Sequence, residues 1–205
     1  MTAQFPDEFL LEGQTYTLAG INGDPLFEPQ TVGLNPLPTC SACWRGYVCV
    51  YSLDHDQFIL AELRVGHGKL VAGSRSFELE PGPIINGVAP QPGPGSNSVF
   101  NNLYQNLNLP IPFSGGLLLA DGFIRELYVH MGFHPAWKYR TVIELIFEAG
   151  QLSEQRNVSD KVALLREKML HQPMEPGTTT DVKNIETWVE ATFRRNYFLP
   201  HARQN

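Results

Sequence analysis

The chain has 205 residues, 42% of them hydrophobic, with 18 glycines, 16 prolines and a formal net charge of −6. That length suits one domain of the common size, about 100–200 residues, and the apolar content is that of a chain able to bury a core, which excludes a disordered chain. The acidic balance repels phosphate backbones, and the only cationic cluster is a weak one at Arg194, Arg195, His201 and Arg203, so nucleic acid is not an expected partner.

The N-terminal stretch Met1 to Glu8 lacks the basic start, apolar run and small-residue cleavage site of a signal peptide. Apolar runs such as Leu117 to Ala120 fall far short of the roughly 20 residues that span a bilayer. Three cysteines do not make a disulfide framework and fit a reducing compartment. The expectation is a cytoplasmic chain with no membrane segment, forming a single domain over residues 1–205.

In chain order, Phe9 to Leu18 reads as a hairpin turning at Glu12-Gly13, followed by loop through Asn22 to Pro38. Trp44 to Leu53 alternates as a central strand covered on both faces. Asp54 to Gln57 reverses the chain into a second strand, Phe58 to Val65. The prolines and glycines of residues 81–98 break regular structure and read as one long loop. Leu117 to Val129 carries Asp121-Gly122 between apolar runs, which predicts a hairpin with that pair at its tip. Trp137 to Phe147 alternates as a strand, Ala149-Gly150 turns, and the chain returns from Leu152. The period then becomes helical, predicting helices over about 159–171, N-capped by Ser159, and 181–196.

The order of features recurs. A hairpin at Leu10, a Gly-apolar-polar-Pro corner at Gly33 to Pro36, Trp44-Arg45 and a long strand pair are matched by Leu117, Gly132 to Pro135, Trp137-Lys138 and another strand pair. The alternative is convergence on shared turn chemistry. The expected fold class is therefore α+β, predominantly antiparallel β, with two related four-stranded units (residues 9–65 and 117–157), sandwich or barrel-like, and two C-terminal helices.

Candidates for chemistry are few. Cys40 and Cys43 have the spacing of a metal or redox pair, but one further cysteine, Cys49, and remote histidines do not complete a zinc site, so no metal and no cofactor are expected. His130 and His134 are four apart, yet Gly132 and Pro135 disfavour the helix that would align them. Glu126, Tyr128 and His130 share one face of the strand expected after Asp121-Gly122 and offer acid or base groups. No nucleophile elbow, phosphate loop or dinucleotide fingerprint occurs. Trp44, Arg45, Tyr47, Tyr128, Trp137 and Lys138 are the candidate binding residues, since Trp, Tyr and Arg dominate binding hot spots.

Three functions are consistent with these residues. The first is a non-catalytic protein-binding module, such as an acidic inhibitor or immunity-type protein that caps a basic partner. The second is a small-ligand-binding barrel: Trp44-x-Gly46 opening a strand resembles the motif of lipocalin-like barrels, over three residues. The third is a hydrolase-type enzyme using His130 or His134 with Glu126 or Glu144. Nothing in the sequence specifies an oligomeric state.

Overall fold

The computed structural model describes residues 2–23, 25–38, 40–74, 76–93 and 98–171. The helix expected over 181–196, and residues 94–97 of the expected loop, lie outside the described residues. The strands are β1 (Glu8–Leu11), β2 (Gln14–Gly23), β3 (Tyr47–Asp54), β4 (Gln57–Val65), β5 (Gly68–Leu70), β6 (Phe77–Leu79), β7 (Gln91–Pro92), β8 (Asn102–Tyr104), β9 (Leu109–Pro110), β10 (Gly115–Phe123), β11 (Tyr139–Glu148) and β12 (Gln151–Asn157). One helix, α1 (Ser159–His171), follows them.

Ten of these strands form one mixed sheet in the order β12-β11-β10-β2-β1-β3-β4-β8-β7, with β9 also on β4. The neighbours are antiparallel except β1 and β3, which run parallel. Gln151 of β12 meets Gln57 of β4. Phe58 N–H donates to Gly150 O at 2.7 Å and Leu152 N–H to Asp56 O at 2.8 Å, so the sheet curls back on itself.

Three tight hairpins build this sheet, and each is written in two left-handed residues. Glu12-Gly13 (φ 52° and 80°), His55-Asp56 (46° and 64°) and Ala149-Gly150 (49° and 84°) supply the two positive φ values that a turn matching the strand twist needs. Asp121-Gly122 does not, because only Gly122 is left-handed (φ 68°). The expected hairpin there is corrected. β10 runs on through the pair, with Asp121 opposite Thr141 and Phe123 opposite Tyr139, and Gln14 Nε2 holds the Asp121 carboxylate at 2.9 Å.

The inner face of the curled sheet holds the main core, including Phe9, Leu18, Cys49, Tyr51, Leu60, Leu63, Leu117, Leu119 and Leu145. Phe58 lies at its centre, with ring centroids 5.1 Å from Tyr51, 4.8 Å from Phe147 and 5.9 Å from both Phe9 and Phe113. Each such side chain contributes about 1.5–3 kcal/mol on burial. A smaller cluster joins Ala19, Leu118, Ala120, Tyr139 and Val142 to Val158 and Val162. There α1 docks: Ser159 Oγ accepts from Val142 N–H at 3.0 Å, and Arg166 Nε donates to Trp137 O at 2.7 Å.

The two related units are also corrected. Strands of the first half are ordered β2-β1-β3-β4 with a parallel step, those of the second β10-β11-β12 with none, and β10 lies directly on β2. The halves are thus parts of one sheet. Trp44 sits in a turn before β3 and Trp137 in a single 3-10 turn, Ala136–Lys138, before β11. No strand carries Glu126, Tyr128 and His130: Arg125–Leu127 is a 3-10 turn and the following residues are irregular. Among the described residues, no helix is long and apolar enough to cross a membrane.

Candidate functional site

β1 is only four residues long, so beyond its start β2 and β3 are no longer bridged by a strand. Asp7 occupies that position. Its side chain is buried (residue exposure 3%) and accepts from Arg45 Nη1 at 2.7 Å, from Arg45 Nη2, and from Cys49 N–H at 2.8 Å. A bidentate fork with an added backbone donor is the geometry in which a buried ion pair offsets its own desolvation. Burial disfavours the Arg45 cation, but the charge and hydrogen bonds of Asp7 outweigh it and raise the guanidinium's pKa. Arg45 also stacks between rings, 4.7 Å from the Tyr47 centroid and 5.9 Å from that of Phe133.

Arg45 borders two recesses. One, about 390 Å³, lies beyond the start of β1 and is lined by Asp7, Ile21, Phe27, Tyr47 and Tyr51 among others. The other is a groove of about 630 Å³ formed by Thr2, Gln4, Trp44, Arg45, Met131, Gly132 and Phe133. The N-terminal segment is pinned along it: Gln4 N–H donates to Gly132 O at 2.8 Å, Gln4 Oε1 accepts from Trp44 N–H at 2.9 Å, and Phe5 N–H donates to Ala42 O at 2.8 Å. Trp44 itself is 66% exposed.

A second polar cluster follows directly on Phe133. Lys138 is 1% exposed, and its Nζ has no hydrogen-bond partner among the described residues; both ring nitrogens of His134 are likewise buried and unpartnered. Burial lowers the Lys138 amine to about 8, and burial together with the Lys138 charge pushes His134 down to about 4. Around them stand aromatic rings: Phe123 lies 4.8 Å and Tyr128 5.2 Å from His134, and Trp137 lies 5.4 Å from the Lys138 amine. At the surface Tyr128 Oη and His130 Nδ1 are 2.9 Å apart.

The candidate binding residues therefore separate into two groups, Trp44, Arg45 and Tyr47 at the groove, and Tyr128, Trp137 and Lys138 with the histidines. Glu126 is exposed, and Glu144 is buried on β11 with Arg156 of β12 at 3.7 Å. Neither has a hydrogen bond to the histidines. Cys43 is buried and its Sγ donates to Tyr47 O at 3.3 Å, with its pKa raised by burial; Cys49 lies in the core. All three cysteines are free thiols, and no group of three or more His, Cys, Asp or Glu gathers among the described residues.

Sequence reasoning missed Asp7, Gln4, Met131 and Phe133. Nothing in a lone Pro6-Asp7 points to an arginine 38 residues away. The Gly132 to Pro135 corner was visible, but not that it faces the N-terminal segment. No protein-family model, curated protein or solved structure matches this chain.

Proposed function

We propose that the protein is a non-catalytic protein-binding module, of the kind that caps a basic partner as an acidic inhibitor or immunity-type protein does, and that it recognises the partner through the groove around Trp44. The observation that carries this reading is an indole left 66% exposed at the rim of an apolar groove. Trp, Arg and Met are enriched at protein interfaces, Trp and Arg also at hot spots, and Trp44, Arg45 and Met131 meet there. The site is held before any partner arrives: Asp7 fixes Arg45, and the Gln4 bonds fix the backbone at Trp44, so little ordering entropy opposes binding. The net charge of −6 favours a basic partner.

The interior supports a ligand-carrying barrel less well, because the space within the curled sheet is occupied by Phe9, Tyr51, Phe58, Phe113 and Phe147. Among the described residues, no carboxylate is hydrogen-bonded to either histidine, which leaves the enzyme reading with less support.

The test uses two matched baits, wild type and Trp44→Ala/Phe133→Ala, in quantitative affinity capture, followed by binding measurements with the purified partner. A basic protein bound at least about tenfold more tightly by wild type is expected, since hot-spot truncations cost about 2 kcal/mol or more. Identical capture by both baits would sink the assignment.

A further inference from the structure

Strands β5 and β6 form a two-stranded sheet of their own that is not joined to the large one. Its register places Leu70 opposite Phe77, Gly68 opposite Leu79 and Lys69 opposite Glu78. Side chains alternate between faces, so Leu70, Phe77 and Leu79 share one face while Lys69, Glu78 and Glu80 share the other, where Lys69 Nζ lies 2.7 Å from Glu80. The apolar three are 61%, 40% and 52% exposed. An isolated two-stranded hairpin is marginal in water unless something covers its apolar face.

The base of the hairpin is nevertheless fixed. Asn101 Nδ2 donates to His67 O at 3.0 Å and to Glu80 O at 2.9 Å, and Asn102 Nδ2 donates to Glu80 O at 3.0 Å. On the β5 side Asn35 Nδ2 caps Gly68 O at 2.7 Å. On the β6 side no strand is paired among the described residues. Val71 N–H donates to Ser76 O and Glu80 N–H to His67 O, both at 3.0 Å. By the alternation of an antiparallel pair, the N–H and C=O of Phe77 and Leu79 then point to that outer edge.

We infer that the outer edge of β6 is a docking site for an extended segment of a partner protein, and that this segment carries a cation between two apolar residues. Charge complementarity selects the occupant. A strand added at the edge sets one residue opposite Glu78, and a lysine or arginine there forms a cross-strand ion pair, while its apolar neighbours extend the face of Phe77 and Leu79. β5 already shows the pattern from the other side, with Lys69 opposite Glu78 and Leu70 opposite Phe77. A second copy offering its own β6 centred on Glu78 would set glutamate against glutamate. This site stands apart from the groove at Trp44 and does not depend on it.

The probe is a blocked seven-residue peptide alternating valine and lysine, titrated into the full chain while backbone amide NMR signals are followed. Shifts at Phe77 and Leu79 are expected. Glu78→Lys should weaken binding by about fivefold to tenfold, the size of exchanging a cross-strand ion pair for a like-charge pair, and should reverse the preference towards a valine–glutamate peptide. A peptide N-methylated at alternate residues, unable to donate to the edge, should not bind, while Trp44→Ala should leave binding unchanged. The inference is overturned by any of four results: no shift at millimolar peptide, equal binding of the N-methylated peptide, loss of binding in Trp44→Ala, or concentration-dependent shifts without peptide that Leu79→Lys removes. The last would make a second copy the occupant.

Discussion

Arg45 and Lys138 are two cations taken out of water in the same molecule, and they are treated in opposite ways. Arg45 meets a buried carboxylate through two bonds and lies between two rings. Lys138, more deeply buried, meets no hydrogen-bond acceptor among the described residues and has the uncharged His134 as a polar neighbour. A compensated buried charge organises the residues around it, whereas an uncompensated one opposes folding. The first therefore fixes the site, and the second is a stability cost that the rest of the fold carries.

The largest expected effect comes from breaking the compensated side. Asp7→Ala leaves the Arg45 guanidinium buried without its counter-charge and should cost about 3–5 kcal/mol, read as a fall in the urea midpoint at constant slope. Asp7→Leu combined with Arg45→Met should recover most of that loss, because neither charge then remains to be solvated. A single variant costing under about 1 kcal/mol would place the pair among weak surface bridges instead.

The uncompensated side should respond with the opposite sign. Lys138→Met keeps the stem and removes the charge, and should stabilise the protein at pH 7 by about 1–3 kcal/mol. The sign follows from linkage. The folded amine titrates near 8 and the unfolded one near 10.5, so between those values the unfolded chain holds more protons. Wild-type stability should thus rise from pH 8 to pH 10.5 relative to Lys138→Met, and the advantage of the variant should vanish at the upper end. His134 repeats the pattern lower down: folded near 4 and unfolded near 6.5, it lowers stability as pH falls from 6.5 to 4 and adds nothing further below. In Lys138→Met the His134 pKa, followed by NMR, should move up, because the charge that adds to burial in holding it down is gone. A flat pH difference between wild type and Lys138→Met would mean that the amine reaches solvent.

Much of the sheet was legible because its rules are local. The alternation of Tyr47 to Leu53 and Phe58 to Val65, and the turns at Glu12-Gly13 and Ala149-Gly150, need only neighbouring residues to be understood. Asp121-Gly122 misled because its composition suits a two-residue turn, while whether one or both residues take positive φ is decided by the strands on either side. The parallel step from β1 to β3, which opens the notch that Asp7 fills, joins residues some 40 positions apart and leaves no mark on periodicity. Nor does a lysine announce burial. Lys138 stood among the candidate binding residues beside Trp137, and lysines are almost never fully enclosed without a partner. Trp44, Arg45 and Tyr47 were visible as a group because they are adjacent in the chain; the second wall of their groove, Met131 to Phe133, was not.

The smallest effect on stability is expected at the residue on which the functional reading depends most. Trp44 borders the compensated pair in sequence, and its indole is two-thirds exposed, with its backbone N–H rather than its ring held by Gln4. Trp44→Ala should therefore change the unfolding free energy by no more than about 0.5 kcal/mol, as surface substitutions do. Phe58→Ala, which empties the centre of the core, should cost about 3–5 kcal/mol in the same assay. The contrast separates two roles for an aromatic ring. If Trp44→Ala lost more than about 1.5 kcal/mol, the indole would be sheltering the Asp7–Arg45 pair from water, and Asp7→Leu with Arg45→Met in the same background would then recover part of the loss. If it loses almost nothing, the ring is held out of the core at no benefit to folding, and its worth lies in what it meets across the groove.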